Sequence, residues 1–485
     1  MIKKTNTSKK VHLIGICGAG MSALAVLLKE SGWQVTGTDE GFFEPIPSYL
    51  KKNEILFYKK YNKKNVPQDA DLIVIGNNIP LSIEENSEKK CAVKLGLKMQ
   101  SLPETLAMLS KNTENIVVAG SAGKSTVTGL LSWCLFEGKK DPSYFIGALP
   151  LDLKNSSHLG KGKEFVLEGD EYTSSKNDPR SKFLHLNPTS VLLTSIQHDH
   201  VNIFPTEKSY KEPYKKLMQK IPKKGLLVYS LDGKNNKEIS KYAQSKIVSY
   251  SLNQKTANWY AQNVKYGIQS SFDLMHEGKK VITVKTKLLG KHNIENIIGA
   301  GAFLLEKKKI TPKVFAEAIN SFHGIKSRIE LKTKKSIIPV YEGFGSSYEK
   351  AKTIFDALRL HFRGHRIIAV FEPHAFSWRN KKFLKWYQTI FNNVDEVVML
   401  PATSHGKKAK NQLTSTEVWK EAKKYAKIHT ALGEKEALQI LSKITKENDV
   451  VALVSSGSLF GLNNSVPKLM EKKFPSAIDL RARPK

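Results

Sequence analysis

The chain has 485 residues, a length for about three domains at ~150 residues each. Its 40% hydrophobic and 25% charged residues are those of an ordinary globular chain, which excludes disorder as the main state. Lys plus Arg is 77 against 45 for Asp plus Glu, a net charge of +32. That excludes an acidic, solvating protein and leaves nucleic-acid binding, membrane-surface binding, anionic substrates or a lysine-rich solvated face.

In chain order, Lys3, Lys4, Lys9 and Lys10 precede an apolar stretch from Val11 to Leu28, a pattern that mimics a secretory signal. Glycines interrupt the stretch, and a strand-like segment follows it, so a strand, turn, helix and strand are expected instead. Val11–Gly15 reads as a buried strand, Met21–Lys29 as a helix and Gln34–Thr38 as a strand ending at Asp39. Asp71–Ile75 is another buried strand. Asn115–Ala119 is a strand that leads through glycines into a helix over Ser125–Phe136. Strands follow at Glu164–Glu168, Ser190–Thr194 and Gly225–Tyr229, with short antiparallel strands between 250 and 290. The last third carries strands at Ile337–Tyr341, Arg366–Phe371, Glu396–Leu400 and Val450–Val454. Strands alternating with helices build parallel sheets, so the fold class is α/β, in three domains at 1–110, 111–325 and 326–485. Cys17, Cys91 and Cys134 are odd in number and scattered, which excludes a disulfide scaffold and favours a reducing compartment. No segment offers ~20 unbroken apolar residues, so no membrane-spanning helix is expected.

Two glycine turns carry the chemistry. Gly15-Ile-Cys17-Gly18-Ala19-Gly20-Met21-Ser22 lies between a strand and a helix, where a backbone without side chains can approach a diphosphate at the helix N-terminus. Asp39 lies at the next strand end, where an acidic residue commonly meets a ribose. Three readings stay open for this turn. They are close packing without a ligand, a nicotinamide dinucleotide, and a nucleotide-sugar diphosphate. The second turn, Gly120-Ser121-Ala122-Gly123-Lys124-Ser125-Thr126, also follows a strand and opens a helix. It is a short phosphate loop, because position 118 holds Val118 where the longer form has glycine. Its amides and helix dipole suit phosphates, Lys124 can reach the terminal ones, and the Ser125 hydroxyl can ligate Mg²⁺.

A short phosphate loop about a hundred residues after a glycine-rich nucleotide turn resembles the Mur ligase family, the ATP-dependent amide ligases of peptidoglycan synthesis. Val166-Leu-Glu168-Gly-Asp170-Glu171 resembles the family's acidic strand end that holds magnesium. Gln197-His198-Asp199-His200 resembles its Glu-x-Asp-His, whose histidine helps to hold a second cation. Gly290-Lys-His292-Asn293-Ile-Glu-Asn296 matches its Gly-x-His-Asn-x-x-Asn, whose second asparagine meets the adenine. Phe322 to Glu330 resembles the hinge segment, whose arginine, here Arg328, faces the ATP phosphates.

The resemblance implies a Rossmann-like first domain for a UDP-sugar, a central phosphate-loop domain with a small antiparallel sheet, and a Rossmann-like last domain. It implies ATP and Mg²⁺ as cofactors, with the metal at Ser125, Glu168 and His200. It assigns the chemistry to Lys124, Glu168, His200 and Arg328. The ATP site would be 120–126 with His292, Asn293, Asn296 and Arg328. The UDP-sugar site would be Gly15, Cys17, Gly18, Ala19, Gly20, Met21, Ser22, Asp39 and Asn77. The implied partners are UDP-N-acetylmuramate and an amino acid or muropeptide, in the cytoplasm, with no nucleic acid and no membrane insertion. The oligomeric state is left open.

Two family activities fit, one adding L-alanine to UDP-N-acetylmuramate and one adding the salvaged tripeptide L-alanyl-γ-D-glutamyl-meso-diaminopimelate. Ile75-Gly-Asn77, Glu171-Tyr172, Arg180-Ser-Lys-Phe183-Leu-His185 and Val454 to Gly461 look more like the second.

The chain also departs from the family. Ala122 stands where a histidine is usual, Ser125 where a threonine is, and Gln197 where a glutamate is. The last domain usually reads Asp-Asp-(Tyr/Phe)-(Ala/Gly)-His-His-Pro, and this chain has Glu342-Gly343-Phe344-Gly345-Ser346-Ser347-Tyr348. A homologue that binds nucleotides without ligation is therefore the competing reading. A nucleic-acid protein is disfavoured because its lysines are spread over all three units instead of clustering with arginine and aromatics.

Overall fold

The computed structural model describes residues 8–77, 86–175, 178–200, 203–402 and 412–481. Lys3 and Lys4 of the signal-like pattern lie outside them. Val11 to Leu28 is divided between a strand and a helix, Ala19–Glu30, whose apolar residues are buried. That helix stops at Ser31 and Gly32, the latter at φ +85°, a left-handed ending that glycine adopts without a Cβ penalty.

Three sheets organise the chain. The first comprises β1 (Lys10–Ile14), β2 (Gln34–Thr38), β3 (Leu56–Tyr58), β4 (Leu72–Ile75) and β5 (Met99–Ser101). They are all parallel in the order β3-β2-β1-β4-β5. The chain winds outward from β1 to β3 and then returns to β4 on the other side of β1. The carboxyl end of β1 is thus where the winding reverses, the place at which open parallel sheets take ligands.

The second sheet comprises β6 (Glu114–Ala119), β7 (Ser143–Phe145), β8 (Ser157–His158), β9 (Glu164–Glu168), β10 (Ser190–Leu193), β11 (Leu226–Ser230), β12 (Lys246–Ser251), β13 (Trp259–Lys265), β14 (Ser270–His276) and β15 (Lys279–Thr286). Its order is β15-β14-β13-β12-β11-β10-β6-β9-β7-β8. The successive pairs along β12-β11-β10-β6-β9-β7 are parallel, and β8 runs antiparallel to β7. β6 is central, flanked by β9 and β10, so three strand ends converge on the loop after β6.

The third sheet comprises β16 (Arg328–Leu331), β17 (Val340–Phe344), β18 (Arg366–Phe371), β19 (Glu396–Met399), β20 (Ile428–Thr430) and β21 (Asp449–Ser455), in the order β16-β17-β21-β18-β19-β20. Only the β16–β17 pair is antiparallel. The strand expected at Ile337–Tyr341 begins three residues later. Pro339 has no N–H to give a ladder, so pairing with β21 opens at Val340.

By internal contacts the chain forms two compact units. One is Met1–Gln262 with Asp273–Thr283 and Glu295–Ile319, and the other is Asn263–Phe272 with Val284–Ile294 and Asn320–Lys485. In the first, one buried apolar cluster runs from Val11 and Leu24 through Phe145, Phe165 and Leu193 to Tyr214 and Ile239. In the second, separate clusters cover the two faces of the third sheet, one around Phe355, Phe371 and Trp378 and one around Val370, Leu453 and Leu462. No helix among the described residues is long and apolar enough to cross a membrane, and the three cysteines are free.

Candidate active site

At the carboxyl end of β1, Gly15 has φ +87°, and its N–H and that of Ile16 donate to the Thr38 carbonyl. The turn is braced by Asp39. One carboxylate oxygen accepts from the Cys17 N–H at 2.8 Å, and the other from Glu40 and Gly41 at 2.8 and 3.0 Å. Burial, with the Asp39 charge adding to it, pushes the Cys17 thiol up to about 12, so it stays protonated at neutral pH. Gly18 caps the helix that begins at Ala19, and Met21 and Ser22 are buried on its inner side, with Ser22 Oγ donating to the Ala19 carbonyl. Gly20 faces Leu102, whose Cδ1 would lie 3.0 Å from an added Cβ. Asn77, after β4, donates through Nδ2 to the Thr173 carbonyl at 3.0 Å and so ties the first sheet to the loop after β9.

The phosphate loop folds as its spacing demands. Gly120 has φ +136° and Gly123 φ +81°, and the helix Lys124–Glu137 starts directly after. Neither glycine can be replaced freely. A Cβ on Gly120 would lie 2.1 Å from Thr194 Oγ1 and 2.8 Å from the Ser195 carbonyl, and one on Gly123 would lie 2.7 Å from Asn296 Oδ1. Asn296 is thereby brought against the loop. Ser121 N–H donates to the Ser195 carbonyl at 2.8 Å, and Thr194 Oγ1 donates to the Ala122 carbonyl at 2.5 Å. These bonds pin the loop to the end of β10. Thr126 lies in the first turn of the helix.

Three acidic residues lie at and just after the end of β9, and each has a different partner. Ser125 Oγ donates to Glu168 Oε1 at 2.9 Å, and the Gly147 N–H donates to Glu168 Oε2 at 2.6 Å. Burial holds the Glu168 carboxyl above the usual carboxylate range despite those bonds and Lys124. Asp170 accepts from Lys182 Nζ at 2.6 Å and from the Tyr172 N–H at 3.0 Å. Glu171 is the hub. Its side chain is 2% exposed and lies 2.7 Å from Lys124 Nζ and 3.5 Å from His200 Nε2. The Tyr210 hydroxyl donates to it at 3.4 Å. Burial opposes its charge, but Lys124 and His200 outweigh it and hold Glu171 below the usual range. Burial likewise opposes the charge of Lys124, and Glu171 more than restores it. The hydrogen bond to Glu171 raises His200, which sits at φ +55° with its ring edge-on to Tyr172 at 4.6 Å.

The residues expected around a metal are thus only partly together. Ser125 and Glu168 meet as a pair of oxygen donors, which suits Mg²⁺ with water and phosphate completing the shell. His200 is engaged with Glu171. Among the described residues no group of three or more His, Cys, Asp or Glu is arranged to hold an ion.

One cavity of about 300 Å³ joins the two glycine turns. It is lined by Gly20, Leu102, Leu106 and Phe145 on its apolar side and by Lys124, Glu168, Asp170 and Lys182 on its charged side. The sequence reading missed Lys182, Phe145 and Leu102. The signal for Lys182 was present in Arg180-Ser-Lys-Phe183, but nothing in its spacing said that it faces Asp170.

The remaining expected residues belong to the second unit. Asn293 Nδ2 donates to the Leu289 carbonyl at 2.8 Å. His292 lies beside Gly290, whose φ is +96° and whose added Cβ would lie 2.5 Å from the His292 ring. His361 Nε2 accepts from the Gly290 N–H at 2.8 Å and holds that turn. Arg328 stacks its guanidinium over Phe344 at 5.4 Å. The altered 342–348 stretch is closely packed. A Cβ on Gly343 would lie 2.4 Å from Ile354 Cδ1 and 2.9 Å from its Cγ1, so an aspartate there would require Ile354 to move. Ser347 caps the helix Tyr348–His361 through its side chain, and Glu342 accepts from Ser327 Oγ at 2.9 Å.

Comparison with known proteins matches residues 10–114 to the Mur ligase family, catalytic domain, and residues 118–304 to the Mur ligase middle domain. The UDP-N-acetylmuramate–L-alanine ligase of Dictyoglomus turgidum is 30% identical over 468 residues, 95% of this chain and 96% of that protein. The UDP-N-acetylmuramate–L-alanyl-γ-D-glutamyl-meso-2,6-diaminoheptandioate ligase of Haemophilus influenzae is 29% identical over 76% of this chain and 80% of that protein. Among solved structures, the UDP-N-acetylmuramate–alanine ligase of Thermotoga maritima superposes with a TM-score of 0.77 at 20% identity, covering 96% of this chain and 99% of that one. A murein peptide ligase from Psychrobacter arcticus gives 0.65 at 22% identity, with the same coverage.

Proposed function

Since this chain belongs to the Mur ligase family, we propose that it is an ATP-dependent ligase that joins UDP-N-acetylmuramate to the tripeptide L-alanyl-γ-D-glutamyl-meso-diaminopimelate. The observation that carries the ligase reading is a cavity bordered by both glycine turns, with Lys124 and Glu168, the hydrogen-bond partner of Ser125, on its charged side. Addition of L-alanine is the second reading, favoured by the near full-length match to an alanine-adding relative.

In the proposed reaction the lactyl carboxylate attacks the γ-phosphorus, ADP leaves, and an acyl phosphate forms. The amine then attacks the acyl carbon and loses a proton, and phosphate departs. Two anions must be brought together in the first step, so preorganised positive charge matters more than an acid–base pair. The loop amides of 120–126 cradle the phosphates, and Lys124, kept cationic by Glu171, neutralises the terminal ones. Asn296, which packs against Gly123, is assigned to the adenine. Ser125 and Glu168 would hold Mg²⁺, which supplies Lewis-acid polarisation of the phosphate oxygens. The raised pKa of Glu168 fits a carboxylate whose cation arrives with the nucleotide. The turn at 15–22 receives the UDP diphosphate, with Asp39 fixing its shape, and Asn77 ties the end of β4 to the loop after β9. Residues 1–110, 111–325 and 326–485 act as the sugar-nucleotide, ATP and amine-presenting parts. His292, Asn293 and Arg328 are likewise assigned to ATP, and the reaction takes place in the cytoplasm.

The test is ADP formation with Mg²⁺, ATP and UDP-N-acetylmuramate, in the presence of tripeptide, L-alanine or neither. Turnover with tripeptide only is expected. Turnover with alanine only replaces this reading by the second, and nucleotide binding without any turnover supports a non-catalytic homologue.

A further inference from the structure

The charged side of the cavity carries two lysines, and they are not equivalent. Lys124 gives two of its three donors, one to the Gly120 carbonyl at 2.7 Å and one to Glu171 at 2.7 Å. Lys182 carries three donors and gives one to Asp170 at 2.6 Å. Its side chain is 23% exposed and lies 5.8 Å from the Tyr172 ring centre. Asp170 does not depend on it alone, because its second oxygen accepts the Tyr172 N–H.

The segment that delivers Lys182 is firmly closed. Lys182 N–H donates to the Tyr172 carbonyl at 2.9 Å, Phe183 N–H to the Asp170 carbonyl at 3.1 Å, and Thr173 bridges Ser181. The same short turn brings both Phe183 and Lys182 to the lining of one cavity. The wall opposite is apolar and belongs partly to the sugar-nucleotide side, through Gly20, Leu102 and Leu106. A cation with spare donors beside an apolar wall suits a ligand that is a carboxylate on a short hydrocarbon arm.

We propose that Lys182 is the residue that recognises the lactyl carboxylate of the acyl donor, UDP-N-acetylmuramate, exchanging part of its contact with Asp170 for that carboxylate and holding it toward the phosphate loop. The proposal rests on the ligase reading above and adds to it a specificity residue. It divides the two lysines by task. Lys124 serves the nucleotide phosphates, and Lys182 distinguishes a muramyl sugar from the same sugar without its lactyl carboxylate.

The experiment is a cycle of two ligands against three proteins, read as equilibrium affinity by calorimetry. The ligands are UDP-N-acetylmuramate and UDP-N-acetylglucosamine, which lacks the lactyl arm. The proteins are the native chain, Lys182→Met and Lys182→Arg, each checked for an unchanged melting temperature and ATP affinity. The native chain should prefer the muramyl ligand. Lys182→Met should lose about 10- to 100-fold in affinity for it, the worth of one charge-assisted hydrogen bond, and nothing for the glucosamine ligand. Lys182→Arg should recover most of the loss. Equal losses for both ligands, or none, would overturn the proposal while leaving the ligase reading standing. A native chain that binds ATP but neither sugar nucleotide would overturn the ligase reading first. If Lys182→Met melts early, the Arg variant decides. A folded Lys182→Arg that binds the two sugars equally contradicts the assignment, and one that keeps the preference supports it.

Discussion

Replacing Gly120 by alanine tests whether the phosphate loop is held by the geometry described. Two costs arise. At φ +136° an L-residue occupies backbone space that is essentially reserved for glycine, a strain of about 1–3 kcal/mol. The new methyl would also sit 2.1 Å from Thr194 Oγ1 and 2.8–2.9 Å from the Ser195 backbone. Thr194 cannot turn away without giving up its bond to the Ala122 carbonyl, and Ser195 cannot retreat without loosening its bond from the Ser121 N–H. Overpacking of this kind costs about 1–3 kcal/mol, and the lost hydrogen bond about 1 more. A destabilisation of about 3–7 kcal/mol is expected, together with at least a tenfold loss of ATP affinity, because the relief must come from the loop itself. Urea unfolding and nucleotide titration measure both. Gly278→Ala is the control. It shares a positive φ of +82° but has nothing within 4 Å of the added methyl, so it should cost about 1 kcal/mol and leave ATP binding alone. If Gly120→Ala behaves like Gly278→Ala in both assays, the steric account of the loop is wrong.

Lys124→Ala should abolish ADP formation yet leave UDP-N-acetylmuramate binding within about threefold, measured by calorimetry. Glu171→Gln should destabilise the first unit by about 2–4 kcal/mol at pH 7, because it leaves Lys124 without its buried partner. Since Glu171 is held below its ordinary value, that stabilisation is present above about pH 4.5 and is lost as pH falls through the folded value, so the gap between variant and native chain should close in acid. A gap independent of pH would show that the charge is not what matters. For His200 the sign is opposite. Its raised value means that its ion pair contributes fully below about pH 6.5 and fades as pH rises through the folded value. An NMR titration should place its midpoint above 6.5 in the native chain and lower in Glu171→Gln.

Much of the fold was legible because β1, β4, β6, β9, β18 and β21 are short apolar runs with glycine or polar punctuation at their ends. The edge strands β3, β5 and β20 have three residues each, too few to show a period. The phosphate loop was legible for a different reason. Its glycines, lysine and serine are consecutive, so local spacing alone brings them together.

The acidic group after β9 was visible as a string but not as a division of labour. Once the strand ends at Glu168, alternation no longer says where a side chain points. Only the folded loop shows that Glu171 faces Lys124 while Asp170 faces Lys182. Asp39 illustrates the same limit. Its spacing matches a ribose-binding acid, and the structure adds that both its oxygens already accept turn amides. The substitutions at 343 and 347 read as losses in sequence. In the fold, Gly343 is where Ile354 packs and Ser347 is where a helix begins, so each has a packing role of its own.

The central claim is that ATP activates the muramyl carboxylate. UDP-N-acetylmuramate labelled with ¹⁸O in its lactyl carboxylate, incubated with ATP, Mg²⁺ and tripeptide, tests it most directly. The account predicts one ¹⁸O in each phosphate released, since the acyl phosphate hands the bridging oxygen to the departing phosphate. Phosphate that carries no label, or no phosphate at all from a protein that binds both nucleotides, would contradict it.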